Sequence, residues 1–270
     1  MAFMDCWNRV CQRLASLSMA LTLASGSLPA LAGDTLRGIQ RKDVIAVGVN
    51  PGLPGFAMRN AQGEWTGFDV DIARGVAAAI LGSAEKIRWV PLDARNRFEA
   101  LQRGDIDLLS RNTTFTFTRD VSMGLAQTAI VFFDGQAFMA PARAGLRRAA
   151  QLRGKSVCVQ AGTTSLKNLE DYSRAQQLKI KPLPFDSLAA TNAAYLAGRC
   201  AAYTADASAL ASIRATQTTR AEDHVIFPEL ISKEPQGPMI RRGDEDFAAV
   251  VRWVLYGLME AEEYLSLIHI

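Results

Sequence analysis

The sequence has few of the residues on which most hydrolases and metalloenzymes depend. It contains two histidines in 270 residues, His224 and His269, so a histidine-based triad or metal site is hard to assemble. It also lacks a Gly-x-Ser-x-Gly motif and a phosphate-binding loop. We therefore expect no catalytic residue, no metal and no cofactor.

A strong charge of either sign is absent as well. The formal net charge is +3, and the basic residues are scattered rather than interleaved with aromatic residues in one stripe. This pattern argues against a nucleic-acid partner. After residue 32, no apolar run is long enough to span a membrane.

The first 32 residues have the order of a secretory signal peptide. Arg9 and Arg13 precede an apolar stretch at residues 14–23, and the small residues Ala30 and Ala32 follow it. This order predicts export and cleavage after Ala32, which would leave a periplasmic protein. An N-terminal membrane anchor would need a longer apolar run.

The four cysteines divide between the leader and the rest of the chain. Cys6 and Cys11 lie in the predicted signal peptide, which leaves Cys158 and Cys200. An oxidising periplasm favours a disulfide between these two, because a zinc site needs about four ligands. Two buried free thiols remain the alternative.

Strand and helix patterns alternate along the chain. Apolar runs at residues 43–50, 87–90 and 106–109 predict strands, and residues 69–81 and 95–103 between them have helical periodicity. A second series with the same plan follows residue 154. The alternation predicts two α/β units, each with a small doubly wound and largely parallel sheet.

Two crossings between the units are predicted, one outward at residues 129–139 and one returning at 225–227. Two connections make a hinged pair of lobes with a ligand cleft beyond the strand ends. We expect lobe 1 at residues 33–135, with 230–264 returning to it, and lobe 2 at 136–229.

The most unusual stretch is Ser-Arg-Asn-Thr-Thr-Phe-Thr-Phe-Thr-Arg-Asp at residues 110–120. Its hydroxyls, its amide and the arginines Arg111 and Arg119 suit the carboxylate of a small zwitterion. A solvated loop is the alternative. A second stretch, Gln-Ala-Gly-Thr-Thr at residues 160–164, precedes a predicted helix whose N-terminus could bind a carboxylate or could simply be capped.

These two stretches and Trp-Thr-Gly-Phe-Asp-Val-Asp at residues 65–71 occur in the order found in periplasmic amino-acid-binding proteins. The chain resembles this family, the family 3 solute-binding proteins, from about residue 33 to 263. Within it, the general L-amino-acid-binding components of polar amino-acid ABC importers are the most similar. The resemblance implies the two-lobed type II periplasmic-binding-protein fold.

The resemblance also implies roles for particular residues. Arg119, Thr114 and Thr163 would hold the ligand α-carboxylate, and Asp206 would pair with the α-ammonium, helped by the backbone of Asn112. From the residues alone, Asp206 could instead be a helix N-cap. The full predicted ligand set is Asn50, Phe56, Arg97, Arg111, Asn112, Thr114, Arg119, Thr163, Thr164 and Asp206.

Two positions in this set bear on which amino acid binds. In relatives that take aspartate and glutamate, an arginine equivalent to Arg97 meets the side-chain carboxylate. In relatives that take basic amino acids, an acid stands where this chain has Asn50. We therefore expect a preference for glutamate, aspartate, glutamine and asparagine, with Phe56 near the ligand side chain. The alternatives are a solvated Arg97 and a plain core aromatic at Phe56.

The resemblance implies a monomeric receptor that binds a free L-amino acid and docks on inner-membrane ABC permease subunits. An exported enzyme on the same fold, similar to cyclohexadienyl dehydratases, is the alternative. Such an enzyme needs a general acid, and the sequence shows no spare carboxylate for that role.

The C-terminal residues carry a separate expectation. Residues 247–263 have the pattern of an amphipathic helix, and family members continue through further helices beyond it. The chain instead has Leu-Ser-Leu-Ile-His-Ile at residues 265–270, which is the translation of a transposon end used in sequencing libraries. We expect this hexapeptide to be a non-native tail.

Overall fold

The computed structural model describes residues 33–268, with side chains described for residues 33–264. The predicted signal peptide, residues 1–32, and the end of the predicted tail, residues 269–270, lie outside the described residues. The helices are α1 Asp34–Lys42, α2 Phe68–Leu81, α3 Arg97–Arg103, α4 Thr164–Ala175, α5 Leu188–Leu196, α6 Ala207–Thr216 and α7 Glu245–Ile268. Within residues 33–268, none of them combines the length and the apolar character that crossing a membrane requires.

The strands form two five-stranded sheets and two short ladders. The strands are β1 Ile45–Val49, β2 Met58–Arg59, β3 Trp65–Thr66, β4 Ile87–Pro91, β5 Leu108–Leu109, β6 Leu125–Gln127, β7 Phe132–Asp134, β8 Gln136–Pro141, β9 Ser156–Gln160, β10 Lys181–Phe185, β11 Ala202–Asp206, β12 His224–Ile226, β13 Glu234–Gln236 and β14 Met239–Arg241.

The first sheet has the strand order β4-β1-β5-β14-β6. Strand β1 is parallel to β4 and β5, whereas β14 is antiparallel to β5 and β6. Every residue of β1 is buried, as expected for a central strand covered on both faces. Val76 of α2 and Phe247 of α7 belong to the same apolar core as Val47 of β1. The expected α/β unit is therefore present, but its sheet is mixed rather than largely parallel.

The second sheet has the order β10-β9-β11-β8-β12. Strand β9 is parallel to β10 and β11, and β8 is antiparallel to β11 and β12. Cys158 of β9 and Cys200, just before β11, form a disulfide with their Cα atoms 5.7 Å apart. The predicted disulfide is confirmed, and the alternative of two free thiols is wrong.

The crossings between the sheets differ from the prediction. Residues 129–139 contain two strands, β7 and β8, rather than one, with a break at Gly135 between them. A Cβ at Gly135 would lie 2.8 Å from the Leu230 side chain and 2.9 Å from the Ser232 carbonyl oxygen. The predicted return at residues 225–227 is also wrong. Strand β12 stays in the second sheet, paired with β8, and β13 makes the return by pairing with β7.

Helix α2 begins at Phe68, one residue before the predicted start. Gly67 occupies its N-cap position, with φ at 122°. A Cβ at Gly67 would lie 2.5 Å from the Phe56 carbonyl oxygen, so the close approach of the two segments requires glycine. Asp69 is buried in the first turn.

Candidate functional site

A cavity of about 50 Å³ is lined by residues that follow strands of both sheets. Ligand sites in open α/β sheets lie in this position, beyond the carboxyl ends of parallel strands. Of the predicted set, the cavity is lined by Asn50, Arg97, Arg111, Asn112, Thr114, Thr163, Thr164 and Asp206. Phe56 and Arg119 do not line it.

Three buried guanidinium groups dominate the first-sheet side. Arg111 donates from Nη1 to the Leu92 carbonyl at 2.8 Å, and Arg119 donates from Nη1 to the Thr114 carbonyl at 2.6 Å. Burial lowers the pKa of both groups to about 10, so each stays cationic at neutral pH.

Arg97 is the least satisfied of the three. It is 3 % exposed, so the alternative of a solvated helix residue is wrong. Within residues 33–264 its guanidinium has no hydrogen bond or ion pair, and its Nε is fully enclosed. Burial and the charges of Arg111 and Arg119 lower its pKa well below the ordinary value. An anionic group in the cavity would stabilise the cationic form of Arg97 against burial and against the charges of Arg111 and Arg119.

An aromatic ring lies between this cluster and the core. The guanidinium carbons of Arg97 and Arg119 are 4.6 Å and 4.8 Å from the centroid of the Phe98 ring, within cation–π distance. Phe98 was not among the predicted site residues. Arg119 itself lies in a π-helical turn, Thr118–Ser122, behind the cavity wall.

Asp206 supplies a buried carboxyl on the second-sheet side. Burial raises its pKa to about 7, and the nearby carboxylates Asp134 and Glu234 add to the rise. A hydrogen bond of 2.8 Å from Gln236 Nε2 opposes it. Asp206 occupies the N-cap position of α6, but its side chain makes no capping hydrogen bond, so it is free to face the cavity.

The threonine hydroxyls donate to groups of the protein itself. Thr163 caps α4 by accepting from Leu166 N at 3.3 Å, and it donates to the Gln160 carbonyl at 2.7 Å. Thr114 and Thr164 both donate to one carboxylate oxygen of Glu234. Since each hydroxyl has one hydrogen, donors for a ligand carboxylate would be guanidinium and backbone N–H groups.

Two amides complete the first-sheet wall. Asn50 donates from Nδ2 to Asn112 Oδ1 at 3.1 Å and accepts from Gly52 N at 3.2 Å. Asn50 is 2 % exposed. An amide at this position can face either a donor or an acceptor on a ligand.

Phe56 is placed outside this arrangement. Its ring makes edge-to-face contacts with Phe68 and Phe132, with centroids 6.4 Å and 5.8 Å away. These three rings line a separate surface pocket. The apolar side chains that line the cavity from this region and from α5 are Leu53 and Leu188.

Two buried polar residues of β13, Glu234 and Gln236, were not predicted from the sequence. They are 1 % and 2 % exposed and contact cavity residues from behind the wall. The alternation of two polar residues around Pro235 was the available signal. It did not stand out because β13 was not predicted as a strand.

Comparison with known proteins identifies the family. The profile of the bacterial extracellular solute-binding proteins, family 3, matches residues 45–269. The chain belongs to this family. As a solute-binding protein, it is a substrate-binding component rather than an enzyme.

Individual relatives agree with this assignment. The solute-binding protein is 42% identical over 252 residues to the general L-amino acid-binding periplasmic protein AapJ of Rhizobium johnstonii, covering 93% of this chain and 74% of AapJ. It is 43% identical over 245 residues to the glutamate/glutamine/aspartate/asparagine-binding protein BztA of Rhodobacter capsulatus, covering 91% of this chain and 72% of BztA.

Solved structures agree as well. A periplasmic binding protein from Brucella ovis with glutathione bound is 49% identical, with a TM-score of 0.82 over 86% of this chain and 72% of that chain. A solute receptor for L-cysteine from Neisseria gonorrhoeae, 26% identical, has a TM-score of 0.74 over 83% of this chain and 88% of that chain. The solute-binding protein thus has the two-lobed type II periplasmic-binding-protein fold.

Proposed function

We propose that this solute-binding protein binds polar and acidic L-amino acids in the cavity and delivers them to the permease of an ABC importer. The observation that carries the proposal is the convergence of buried Arg97 and Arg111, backed by Arg119, with the carboxyl of Asp206 around one small cavity. The names of AapJ and BztA, which describe L-amino-acid binding, support it.

The charges of the site match those of an amino-acid zwitterion. The ligand α-carboxylate is held by the arginine cluster and by free N–H groups at the N-terminus of α4, where the helix dipole favours an anion. The α-ammonium pairs with the carboxylate of Asp206. Glutathione in the Brucella structure carries the same ammonium and α-carboxylate on its glutamyl residue.

The surplus of positive charge sets the side-chain preference. A second carboxylate, or a carboxamide oxygen, binds Arg97, whose guanidinium is buried without a hydrogen-bond partner in the described part of the chain. A cationic ligand side chain would face the guanidinium groups of Arg97 and Arg111, with that of Arg119 behind them, and Asn50 offers it no counter-charge. Burying an unpaired charge is strongly unfavourable.

The setting of the protein follows from the same proposal. Residues 1–32 are a signal peptide cleaved after Ala32, and the mature monomer acts in the periplasm. Residues 33–135 and 230–264 make one lobe, and residues 136–229 make the other. The ligand contacts both lobes, so binding shifts the population toward the closed form that the permease recognises.

Calorimetry on protein purified from the periplasm tests the proposal. We expect glutamate and glutamine to bind, and arginine to bind at least tenfold more weakly. Arg97→Ala should weaken glutamate binding by at least tenfold, about 1.4 kcal/mol. Arg103→Ala is the matched control, because Arg103 is an exposed residue of α3 that pairs with Glu99. Equal binding of arginine, or unchanged glutamate affinity in Arg97→Ala, would refute the preference.

A further inference from the structure

Behind the cavity wall lies a carboxylate that satisfies donors from four residues. Glu234 of β13 is 1 % exposed. Its Oε2 accepts from Thr114 Oγ1 at 2.6 Å and from Thr164 Oγ1 at 3.0 Å. Its Oε1 accepts from Asn168 Nδ2 at 2.7 Å and from Ser232 Oγ at 2.5 Å. A fully bonded buried carboxylate is held in one orientation.

The two hydroxyls on Oε2 come from opposite walls of the cavity. Thr114 follows β5 of the first sheet, whereas Thr164 opens α4, which packs beside the second sheet. Glu234 therefore bonds both walls with a single oxygen atom. Movement of one sheet away from the other by even 1 Å would lengthen at least one of these hydrogen bonds beyond normal range.

The same strand contacts the cavity a second time. Gln236 is two residues after Glu234, so its side chain lies on the same face of β13. It donates from Nε2 to Asp206 Oδ2 at 2.8 Å. The inward side chains of β13 thus form hydrogen bonds with cavity residues of both walls. Pro235 lies between the two inward positions and faces the other way.

We propose that Glu234 is a positioning residue for ligand binding, which holds Thr114 and Thr164 at the distance at which the two cavity walls engage a ligand. The proposal rests on the proposed function. It assigns to Glu234 no contact with the ligand, since Glu234 does not line the cavity. Its effect is on how long the two walls stay together, so it acts mainly on the dissociation rate of the ligand.

Glu234→Met is the first test, because the thioether keeps the length of the side chain and removes both carboxylate oxygens, whereas a glutamine oxygen could keep both threonine hydrogen bonds. We expect glutamate affinity to fall at least tenfold by calorimetry, mostly through faster dissociation in stopped-flow fluorescence. Asn168→Ala is the matched control, since it removes a donor from the other carboxylate oxygen. It should bind within threefold of wild type. Equal losses in both variants would indicate a structural role only and overturn the proposal.

A double-mutant cycle makes the test specific to the hydroxyl. If Glu234 acts through Thr164, then Thr164→Val/Glu234→Met should bind within threefold of Thr164→Val alone. Losses that multiply would overturn the proposal. If Glu234→Met does not fold by circular dichroism, Glu234→Asp replaces it. That carboxylate is one methylene shorter and should lose its reach to Thr164, with the same tenfold loss expected.

The outcomes also separate this proposal from the one on which it rests. Wild-type protein that binds no amino acid would overturn the proposed function and this inference together. If wild-type protein binds glutamate and the folded Glu234→Met or Glu234→Asp variant binds it within threefold as tightly, this inference alone is overturned.

Discussion

Asp206 links the burial of one carboxyl to the pH range in which the cavity can hold an ammonium group. Its pKa is raised to about 7, chiefly by burial, and only the ionised form attracts a cation. The pKa of Asp69 is likewise raised to about 7 by burial, although the charge of Arg111 opposes the rise. Both groups hold their protons more tightly in the folded than in the unfolded chain. Their contribution to stability therefore falls as pH rises from about 4 to about 7.

Ligand affinity should change with pH in the opposite direction. Below about pH 7 the amino acid must displace a proton from Asp206, so affinity should rise up to tenfold per pH unit and level off above pH 7. Calorimetry with glutamine at pH 5, 6, 7 and 8 measures the effect. Asp206→Asn is the control, with weak binding that no longer depends on pH. A flat wild-type profile would contradict the assignment.

At the scale of residues, the sequence predicted eight of the sixteen residues that line the cavity, because its motifs follow strand ends. It could not predict the role of Glu234, because the segment Ser-Lys-Glu-Pro-Gln matches no binding motif. The position of Glu234 depends on Thr114 and Thr164 meeting across the cavity. Phe56 was predicted near the ligand side chain, and its ring packs against other rings outside the cavity lining.

At the scale of elements, the loop between β9 and α4 approaches the other side of the cleft closely. Gly162 has φ at 74°, and a Cβ there would lie 3.1 Å from the backbone N and Cα of Arg95. Backbone cannot move aside as a flexible side chain can. Glycine therefore permits the two sides to meet at this point.

Gly162→Ala should weaken amino-acid binding by tenfold or more, because the added methyl group keeps the two sides apart. Gly154→Ala is a close control. Gly154 has φ at 69° and open space around it, so it carries similar backbone strain of about 1 kcal/mol without the contact. Both variants should lose similar thermal stability, and only Gly162→Ala should lose affinity. Equal affinities in calorimetry would show that the approach to Arg95 is unimportant.

The short strands explain where element prediction failed. Strands β7, β12 and β13 have three residues each, which is too few for an alternation to be distinguished from a loop. Whether Val225 pairs within a sheet or crosses between sheets depends on its partner, and only the fold supplies Ala140. The long helices and the central strands β1 and β9 carried enough pattern to be found.

At the scale of the whole molecule, one covalent link restrains the second sheet. The Cys158–Cys200 disulfide closes a sequence separation of 42 residues that contains α4, β10 and α5. Loop-closure entropy for this length corresponds to about 4 kcal/mol. The bond stabilises the fold mainly by restricting the unfolded chain.

Urea unfolding with and without reductant should show this difference. We expect reduction to lower the free energy of unfolding by roughly 2–4 kcal/mol. The Cys158→Ala/Cys200→Ala variant should be less stable and insensitive to reductant. An unchanged unfolding midpoint in reduced wild-type protein would contradict the estimate.

The cluster of buried guanidinium groups bears on how the importer would use ATP. On the proposed function, the like charges of buried Arg97, Arg111 and Arg119 would repel one another in the ligand-free protein and disfavour the closed form. A ligand with two carboxylates would offset that repulsion. ATP would then be hydrolysed chiefly for ligand-loaded receptors. The arginines that select the ligand would thereby also limit ATP hydrolysis that moves no ligand.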